Sequence, residues 1–291
     1  MGRGQHRALR PPTASRRSLP HLRRARCADR RHLGRRRAPT GGVVSLAGRS
    51  VVVTGAGSGI GRAIAVQLAA QGALVTVVGR RETALKETVA QLDAEVEIVA
   101  ADLCTPDSAD RIIDAAIDRF GRVDGLVNNA GLARFGRIDE VDVADLDALL
   151  AVNVRGPAQL IKAALPHLRS VRGSIVNVTS VAGALSMPGR SYYGASKAAM
   201  NSLTRSLARE LAPDVRVNAV LPGPVDTPMW QDLGLSPMQT ELLRRDMVAG
   251  TPMGRFGEED EIARWVACLL DPDFAGWITG VLLPVDGGRT T

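Results

Sequence analysis

Short, wholly apolar runs alternate along this chain with stretches in which apolar positions recur every three to four residues. Val51-Val52-Val53 is the first run, followed by Gly-rich sequence and an Ala/Ile/Leu helix to about Ala70. The alternation predicts a second strand at Leu74–Val78, a helix over 82–92, a third strand at Val96–Ala100, a helix over 107–120 and a fourth strand at Gly125–Asn128. Two helical stretches then cover roughly 142–169, and a fifth strand spans Ser174–Thr179. A helix runs from about Tyr192 to Leu211, with Leu203, Leu207 and Leu211 on one face. A sixth strand at Val215–Leu221, a Met-rich excursion, a helix near 258–270 and a last strand at Val281–Val285 complete the pattern. Strands that are apolar throughout belong to a parallel sheet covered on both faces. The expectation is a single α/β domain over residues 43–291, a doubly wound parallel sheet without repeats or an internal linker. Ligands bind such a sheet beyond the carboxyl ends of its strands, so residues just after strands carry the chemistry.

Composition narrows the classes. The 291 residues are 45% hydrophobic and 23% charged, with mean hydropathy near zero. That is too apolar for a disordered chain, and no apolar run is long enough for a membrane-spanning helix. Cys27, Cys104 and Cys268 are too scattered for a metal site or a disulfide framework, which implies a reduced, cytoplasmic protein. The net charge of +7 is divided unevenly. Residues 1–40 hold 13 arginines and one acid, a charge of +12, which leaves −5 for the rest. The segment 1–42 reads as a disordered, solvated basic tail, or as sequence upstream of a wrongly assigned start. Ser15-Arg16-Arg17 has no apolar stretch behind it, so an export signal is rejected. Missing aromatics argue against nucleic-acid binding. His167 is the only histidine beyond this segment, which disfavours a Ser-His-Asp hydrolase and a multi-histidine metal site. No metal is expected.

The first strand is followed by Thr54-Gly55-Ala56-Gly57-Ser58-Gly59-Ile60-Gly61. Glycines allow close backbone approach to a pyrophosphate, and the helix behind them offers free N–H groups and a positive dipole end. The spacing is T-G-x-x-x-G-x-G rather than G-x-G-x-x-G, and a bare strand-to-helix turn is the alternative. The second strand leads into Gly79-Arg80-Arg81, with no carboxylate for a ribose hydroxyl. Two cations there favour a 2′-phosphate, hence NADP(H) over NAD(H), unless both are merely solvent-facing.

Ser180 follows the fifth strand, Tyr193 lies 13 residues on, and Lys197 four beyond it. Positions i and i+4 share a helix face. A free phenol ionises near pH 10, and a neighbouring ammonium is expected to lower that value. Tyr193 can then pass a proton to or from a substrate oxygen that Ser180 holds by hydrogen bonding. The chain has only three lysines against 34 arginines, yet lysine stands at 197; its pKa responds to burial as that of arginine does not. A lone Y-x-x-x-K arises often by chance, so the reading rests on its company.

Taken together, TGAGSGIG at 54–61, Asp102-Leu103, Asn128-Asn129-Ala130-Gly131, Asn153, Ser180, Tyr193-Gly-Ala-Ser-Lys197, Pro222-Gly223 and Val285-Asp286-Gly287-Gly288 resemble the short-chain dehydrogenase/reductase family over about residues 45–291. The resemblance implies a Rossmann-type fold with Ser180, Tyr193 and Lys197 as the catalytic set, Tyr193 being the acid/base. It implies that Lys197 also holds the nicotinamide ribose and that Asn153 completes a proton relay through water. Gly55, Ser58, Gly59, Ile60 and Gly61 would bind the pyrophosphate, with Arg80 and Arg81 at the 2′-phosphate. Asp102 and Leu103 would meet the adenine, and Asn129, Ala130 and Gly131 the adenosine side. Pro222, Gly223, Val225 and Thr227 would meet the nicotinamide. A homotetramer packed through the helices near 142–169 and 192–211 is implied as well. Thr179 stands where many members have a second Ser, and Ser58 where a basic residue would signal NADP.

Residues 226–252, with Met253 just beyond, carry Met229, Trp230, Leu233, Leu235, Met238, Leu242, Leu243 and Met247. They read either as an adaptable apolar lid over the substrate or as an amphipathic helix packed on the domain. Residues 181–191, including Ala182 and Met187, should line the opposite wall. The substrate expected is an apolar or amphipathic ketone or secondary alcohol, although Arg244 and Arg245 leave room for an acyl-carrier substrate. The readings in competition are an NADP(H)-dependent carbonyl reductase, an NAD-dependent secondary-alcohol dehydrogenase using the same residues, and a cofactor-binding scaffold without activity.

Overall fold

In a computed structural model, which describes Met1 and residues 44–291, all seven expected strands form. They are β1 Ser50–Thr54, β2 Leu74–Gly79, β3 Val96–Ala100, β4 Gly125–Asn128, β5 Ser174–Val178, β6 Arg216–Pro222 and β7 Leu282–Val285. They pair in parallel in the order β3-β2-β1-β4-β5-β6-β7. The chain moves outward from β1 to β3, then returns to lay β4 on the other side of β1. The crevice between β1 and β4 is therefore the switch point at which a doubly wound sheet binds its ligand.

Successive residues of each strand feed opposite layers. Val51 and Val53 of β1 pack with α1 (Gly59–Ala70) and α8 (Glu259–Leu270), whereas Val52 packs with α3 (Ser108–Phe120) and α5 (Gly156–Val171). The second layer also contains Leu211 of α6 (Ser191–Leu211). Residues Gly41–Thr291 form one compact unit; the reading of 1–42 as a basic tail falls outside the described residues. Among the described residues, no helix is long and apolar enough to cross a membrane, and no group of three His, Cys, Asp or Glu could hold a metal ion.

Two elements differ from expectation. The helical stretches over 142–169 join without a break: α4 (Val143–Leu150) runs through a π-helical turn at Ala151–Arg155 into α5. The buried stripe of α6 is Tyr193, Lys197, Met200, Thr204, Ala208 and Leu211, while Leu203 and Leu207 lie half-buried on its flank. Thr204 takes the core position because its hydroxyl accepts a hydrogen bond from Asn177 Nδ2 of β5 at 2.9 Å. Asn177 in turn accepts one from Asn128 Nδ2 of β4, also at 2.9 Å. This buried polar ladder fixes α6 against the middle of the sheet. The Met-rich excursion contains α7 (Pro237–Ala249), which opens with a capping box formed by Ser236 and Gln239.

Candidate active site

The carboxyl ends of β1 and β4 are tied together before any ligand is considered. Thr54 Oγ1 accepts the N–H groups of Asn129 and Ala130, each at 3.0 Å, and Asn129 Nδ2 donates to the Thr54 carbonyl at 2.9 Å. The glycine loop packs so closely on this junction that a Cβ on Gly61 would stand 2.2 Å from the Gly55 carbonyl oxygen and 2.4 Å from Asn129 Nδ2. Gly55 itself adopts φ +67°, and a Cβ there would fall 2.8 Å from Asn129 Nδ2. Both positions therefore exclude a side chain. The first turn of α1 carries no acid, and Ser58 makes no side-chain cap, so the helix end keeps its free N–H groups and its positive dipole end. Arg62 braces the loop from behind: it donates to the Gly57 carbonyl at 2.6 Å, to Thr88 Oγ1 at 3.1 Å and to Glu87 at 3.1 Å. Sequence reasoning missed Arg62, because its partners come from α2 (Glu82–Val89) and no spacing rule links them.

A cavity of about 390 Å³ runs from this loop to the start of α6. Its walls include Gly55, Ser58, Gly59, Ile60, Gly61, Arg80, Arg81, Asp102, Leu103, Asn129, Ala130 and Gly131. They also include Ser180, Tyr193, Lys197, Pro222, Gly223, Val225 and Thr227. Of the catalytic and cofactor-binding residues expected from the sequence, all but Asn153 line this cavity. Arg80 and Arg81 are exposed at the end of β2, and neither has an ion-pair partner within 4 Å among the described residues. Asp102 is half-buried and holds the Cys104 N–H at 2.8 Å. The loop after β6 faces the glycine loop: a Cβ on Gly59 would lie 3.5 Å from Thr227 Cβ. The Val225 carbonyl accepts the Trp230 indole N–H at 2.8 Å.

Tyr193 and Lys197 share the buried face of α6, as the four-residue spacing requires. Lys197 Nζ lies 5.8 Å from the Tyr193 ring centroid and donates to the Val178 carbonyl at 3.2 Å. Burial lowers the Lys197 pKa from 10.5 to about 8. Burial also raises the Tyr193 phenol above its ordinary value; the neighbouring Ser180 hydroxyl and the charge of Arg190 oppose that shift. This corrects the expectation of a phenol held down by Lys197: desolvation dominates, and the opposing cation is Arg190. Ser180 caps a short 3-10 turn by accepting the Ala182 N–H at 3.1 Å.

Asn153 sits one layer behind, buried in the π-helical turn. Its amide accepts the Leu132 N–H at 2.8 Å and donates to the Leu132 carbonyl at 2.9 Å and to Ser196 Oγ at 3.0 Å. Ser196 Oγ donates to the Tyr193 carbonyl at 2.7 Å. All the described contacts of Asn153 thus hold the loop after β4 and the first turn of α6, and they reach the cavity only through those segments. Its Oδ1 and Lys197 Nζ converge on Gly131, where a Cβ would stand 3.4 Å and 3.5 Å from them.

The opposite end of the cavity is apolar, with two cations. Phe135, Met187, Met229, Trp230, Leu233 and Met247 line it, together with Arg190 and Arg289. Phe135 meets Tyr193 edge-on at 5.5 Å between ring centroids. Residues 226–252 divide between the cavity wall, the domain interior and the surface. Leu233 and Met247 are buried, and Trp230, Leu235 and Leu243 are half-buried, whereas Met229, Met238, Leu242 and Met253 are exposed. Arg244 is tied to Asp226 at 2.9 Å and lies over Trp230 and Phe256, and Arg245 pairs with Glu241 on the surface. Arg190 and Arg289 were not singled out from the sequence, because nothing in their spacing shows that the fold brings them together.

Residues 55–290 match a family model described as enoyl-(acyl carrier protein) reductase. A solved short-chain dehydrogenase/reductase of unknown function from Caenorhabditis elegans superposes with a TM-score of 0.77 at 32% identity, covering 84% of this chain and 96% of that one. The chain belongs to the short-chain dehydrogenase/reductase family. As a member of that family it is an oxidoreductase that acts with a nicotinamide cofactor. An uncharacterized oxidoreductase of Thermotoga maritima is 40% identical over 256 residues, 85% of this chain and 99% of the relative. The 3-ketoacyl-(acyl-carrier-protein) reductase of Brucella melitensis, solved with NADH, is 34% identical with a TM-score of 0.79 and covers 85% of this chain and all of that one. For this short-chain dehydrogenase/reductase, a nicotinamide dinucleotide fits the cavity. The acid-free end of α1, the side-chain-free cradle at Gly55 and Gly61 and the paired cations at Arg80–Arg81 suit its phosphates.

Proposed function

We propose that the protein is an NADP(H)-dependent carbonyl reductase, interconverting a ketone and a secondary alcohol, with Tyr193 as acid/base. The observation that carries this reading is the convergence of Ser180, Tyr193 and Lys197 on one cavity with the glycine loop and the exposed Arg80–Arg81. Gly55, Ser58, Gly59, Ile60 and Gly61 would hold the pyrophosphate, and Arg80 and Arg81 the 2′-phosphate. Asp102 and Leu103 would bound the adenine, with Asn129, Ala130 and Gly131 on the adenosine side. Pro222, Gly223, Val225 and Thr227 would flank the nicotinamide, whose ribose Lys197 would hold. When bound, the cofactor supplies or accepts the hydride.

This chain's own residues do the rest. Ser180 Oγ donates to the substrate oxygen and holds it beside the Tyr193 hydroxyl. Tyr193, kept protonated at neutral pH by burial, gives its proton to the carbonyl oxygen as the C–H bond forms. In the reverse direction it takes the alcohol proton. Lys197 stands 5.8 Å from the Tyr193 ring centroid on the same buried face of α6, where it would keep the ribose beside the phenol. Asn153 supports this arrangement by pinning Leu132 and the first turn of α6, and the relay through water remains part of the proposal. The apolar wall of Met187, Leu233 and Met247 suits the carbon chain of the substrate. A cytoplasmic homotetramer, with residues 43–291 as its catalytic domain and 1–42 as an appended basic tail, completes the reading. The NADH bound to the Brucella relative supports NAD as the second choice of cofactor.

The test is cofactor oxidation, followed by absorbance, across a panel of ketones with the wild type and Tyr193→Phe. The reading predicts turnover that the variant loses. Equal rates in both proteins would contradict it.

A further inference from the structure

Two arginines at the substrate end of the cavity have no part in the chemistry above. Arg190 lies three residues before Tyr193 and is half-buried. Its guanidinium carbon stands 5.1 Å from the Phe135 ring centroid. The acceptors around its terminal nitrogens are sulfurs: Met187 Sδ at 2.9 Å and Met247 Sδ at 3.8 Å. A thioether is a weak acceptor, and a guanidinium presents five N–H donors. Among the described residues, no carboxylate comes within 4 Å of Arg190 to form an ion pair. Burial, reinforced by the charge of Arg289, lowers its pKa only to about 10, so it stays cationic at neutral pH.

Arg289 reaches the same wall from beyond β7. Its Nη1 donates to the Met247 carbonyl at 2.9 Å and to Thr251 Oγ1 at 3.3 Å, while its Nε is buried without a partner. Two cations thus gather around Met247, neither with an ion-pair partner among the described residues, and Arg289 Nε is left without an acceptor there. Desolvated positive charge without an anion is costly. The cost is removed when a ligand brings the anion into the cavity. Carboxylate and phosphate both match the guanidinium fork, and of the two the singly charged carboxylate costs less to desolvate beside an apolar wall.

We infer that the substrate carries a carboxylate, held by Arg190 with support from Arg289, at one end of a short carbon chain. The ketone or alcohol carbon at the other end lies at Tyr193. This rests on the carbonyl-reductase reading and names its substrate class: oxo acids and hydroxy acids of short chain, rather than neutral ketones. Phe135 sets the span, since its ring lies 5.1 Å from the guanidinium and 5.5 Å from the Tyr193 ring. Met187, Met247 and Leu233 would pack against the carbons between.

The experiment compares straight-chain 2-, 3- and 4-oxo acids with their methyl esters as substrates of the full-length enzyme. It uses the wild type, Arg190→Met and Arg190→Lys, and cofactor affinity is titrated alongside. A second readout is the melting temperature with oxidised cofactor plus pentanoate or pentanamide. The inference predicts that the wild type prefers an acid over its ester by about tenfold to a hundredfold in kcat/KM for at least one chain length, the range expected for a charged hydrogen bond. Arg190→Met should lose that preference and Arg190→Lys keep part of it. Pentanoate, but not pentanamide, should raise the wild-type melting temperature, and the rise should vanish in Arg190→Met. Esters used as well as acids, or a carboxylate preference unchanged in Arg190→Met, would overturn the inference and leave the reductase reading standing. Absence of both cofactor binding and ketone turnover would overturn the reductase reading, and this inference with it.

Discussion

Tyr193 and Lys197 show how burial sets the working state of two ionisable groups. A phenol raised by burial stays in its proton-carrying form through neutral pH and offers no phenolate to accept a proton until the pH climbs. Ketone reduction should therefore be nearly flat through neutral pH, and alcohol oxidation should rise with pH through the alkaline range. Parallel pH–rate profiles in the two directions would contradict this. Tyr193→Phe should lower kcat by about 100-fold to 10,000-fold, the range for general acid–base catalysis, in the same absorbance assay. Lys197 yields a stability prediction. Its pKa falls from 10.5 to about 8 on folding, so above pH 8 the folded protein releases a proton that the unfolded chain keeps. The burial penalty is complete below pH 8 and lifts as the pH rises. The melting temperature of the wild type relative to Lys197→Met should thus increase from pH 8 to pH 10. The pairing of these two residues was legible in a four-residue spacing. The sign of the Tyr193 shift was not, because desolvation depends on everything packed around the ring.

The strands were the most legible elements, since a run such as Val51-Val52-Val53 is apolar on both faces and suits no surface position. The π-helical turn at Ala151–Arg155 and the ladder from Asn128 through Asn177 to Thr204 were not legible. Each depends on polar groups from distant segments meeting inside the core. Asn153 was found from a resemblance, and its geometry gives it a definite task. Asn153→Ala strands the Leu132 N–H and carbonyl, and each buried group left unpaired costs about 1–3 kcal/mol. Thermal unfolding should begin several degrees lower, and Thr204→Val should cost a similar amount by orphaning Asn177. An unchanged melting temperature in both variants would mean that neither network holds α6 in place. The same limit explains why Arg62, Arg190 and Arg289 escaped the sequence reading: their partners come from other elements, at no fixed spacing.

Across the whole molecule, charge is unequally shared. Residues 1–40 carry +12 and the remaining 251 carry −5, so a protein starting at residue 43 should bind an anion exchanger where the full chain binds a cation exchanger. Cofactor affinity should be the same for both forms, since every proposed cofactor contact lies between Gly55 and Thr227. A loss of affinity on truncation would place part of the site in the removed segment. The architecture as a whole brings six loops, those after β1 to β6, to one cavity at the switch point, with the first turns of α6 beside them. The central claim is that this cavity is built for NADP(H), with Arg80 as the residue that reads the 2′-phosphate. Titration of the cavity-lining Trp230 fluorescence with NADPH and with NADH, in the wild type and in Arg80→Ala, tests it most directly. The account predicts that the wild type binds NADPH at least about tenfold more tightly than NADH, and that Arg80→Ala removes most of the difference, as loss of one charged hydrogen bond to phosphate requires. Equal affinities in the wild type, or tighter binding of NADH, would contradict it.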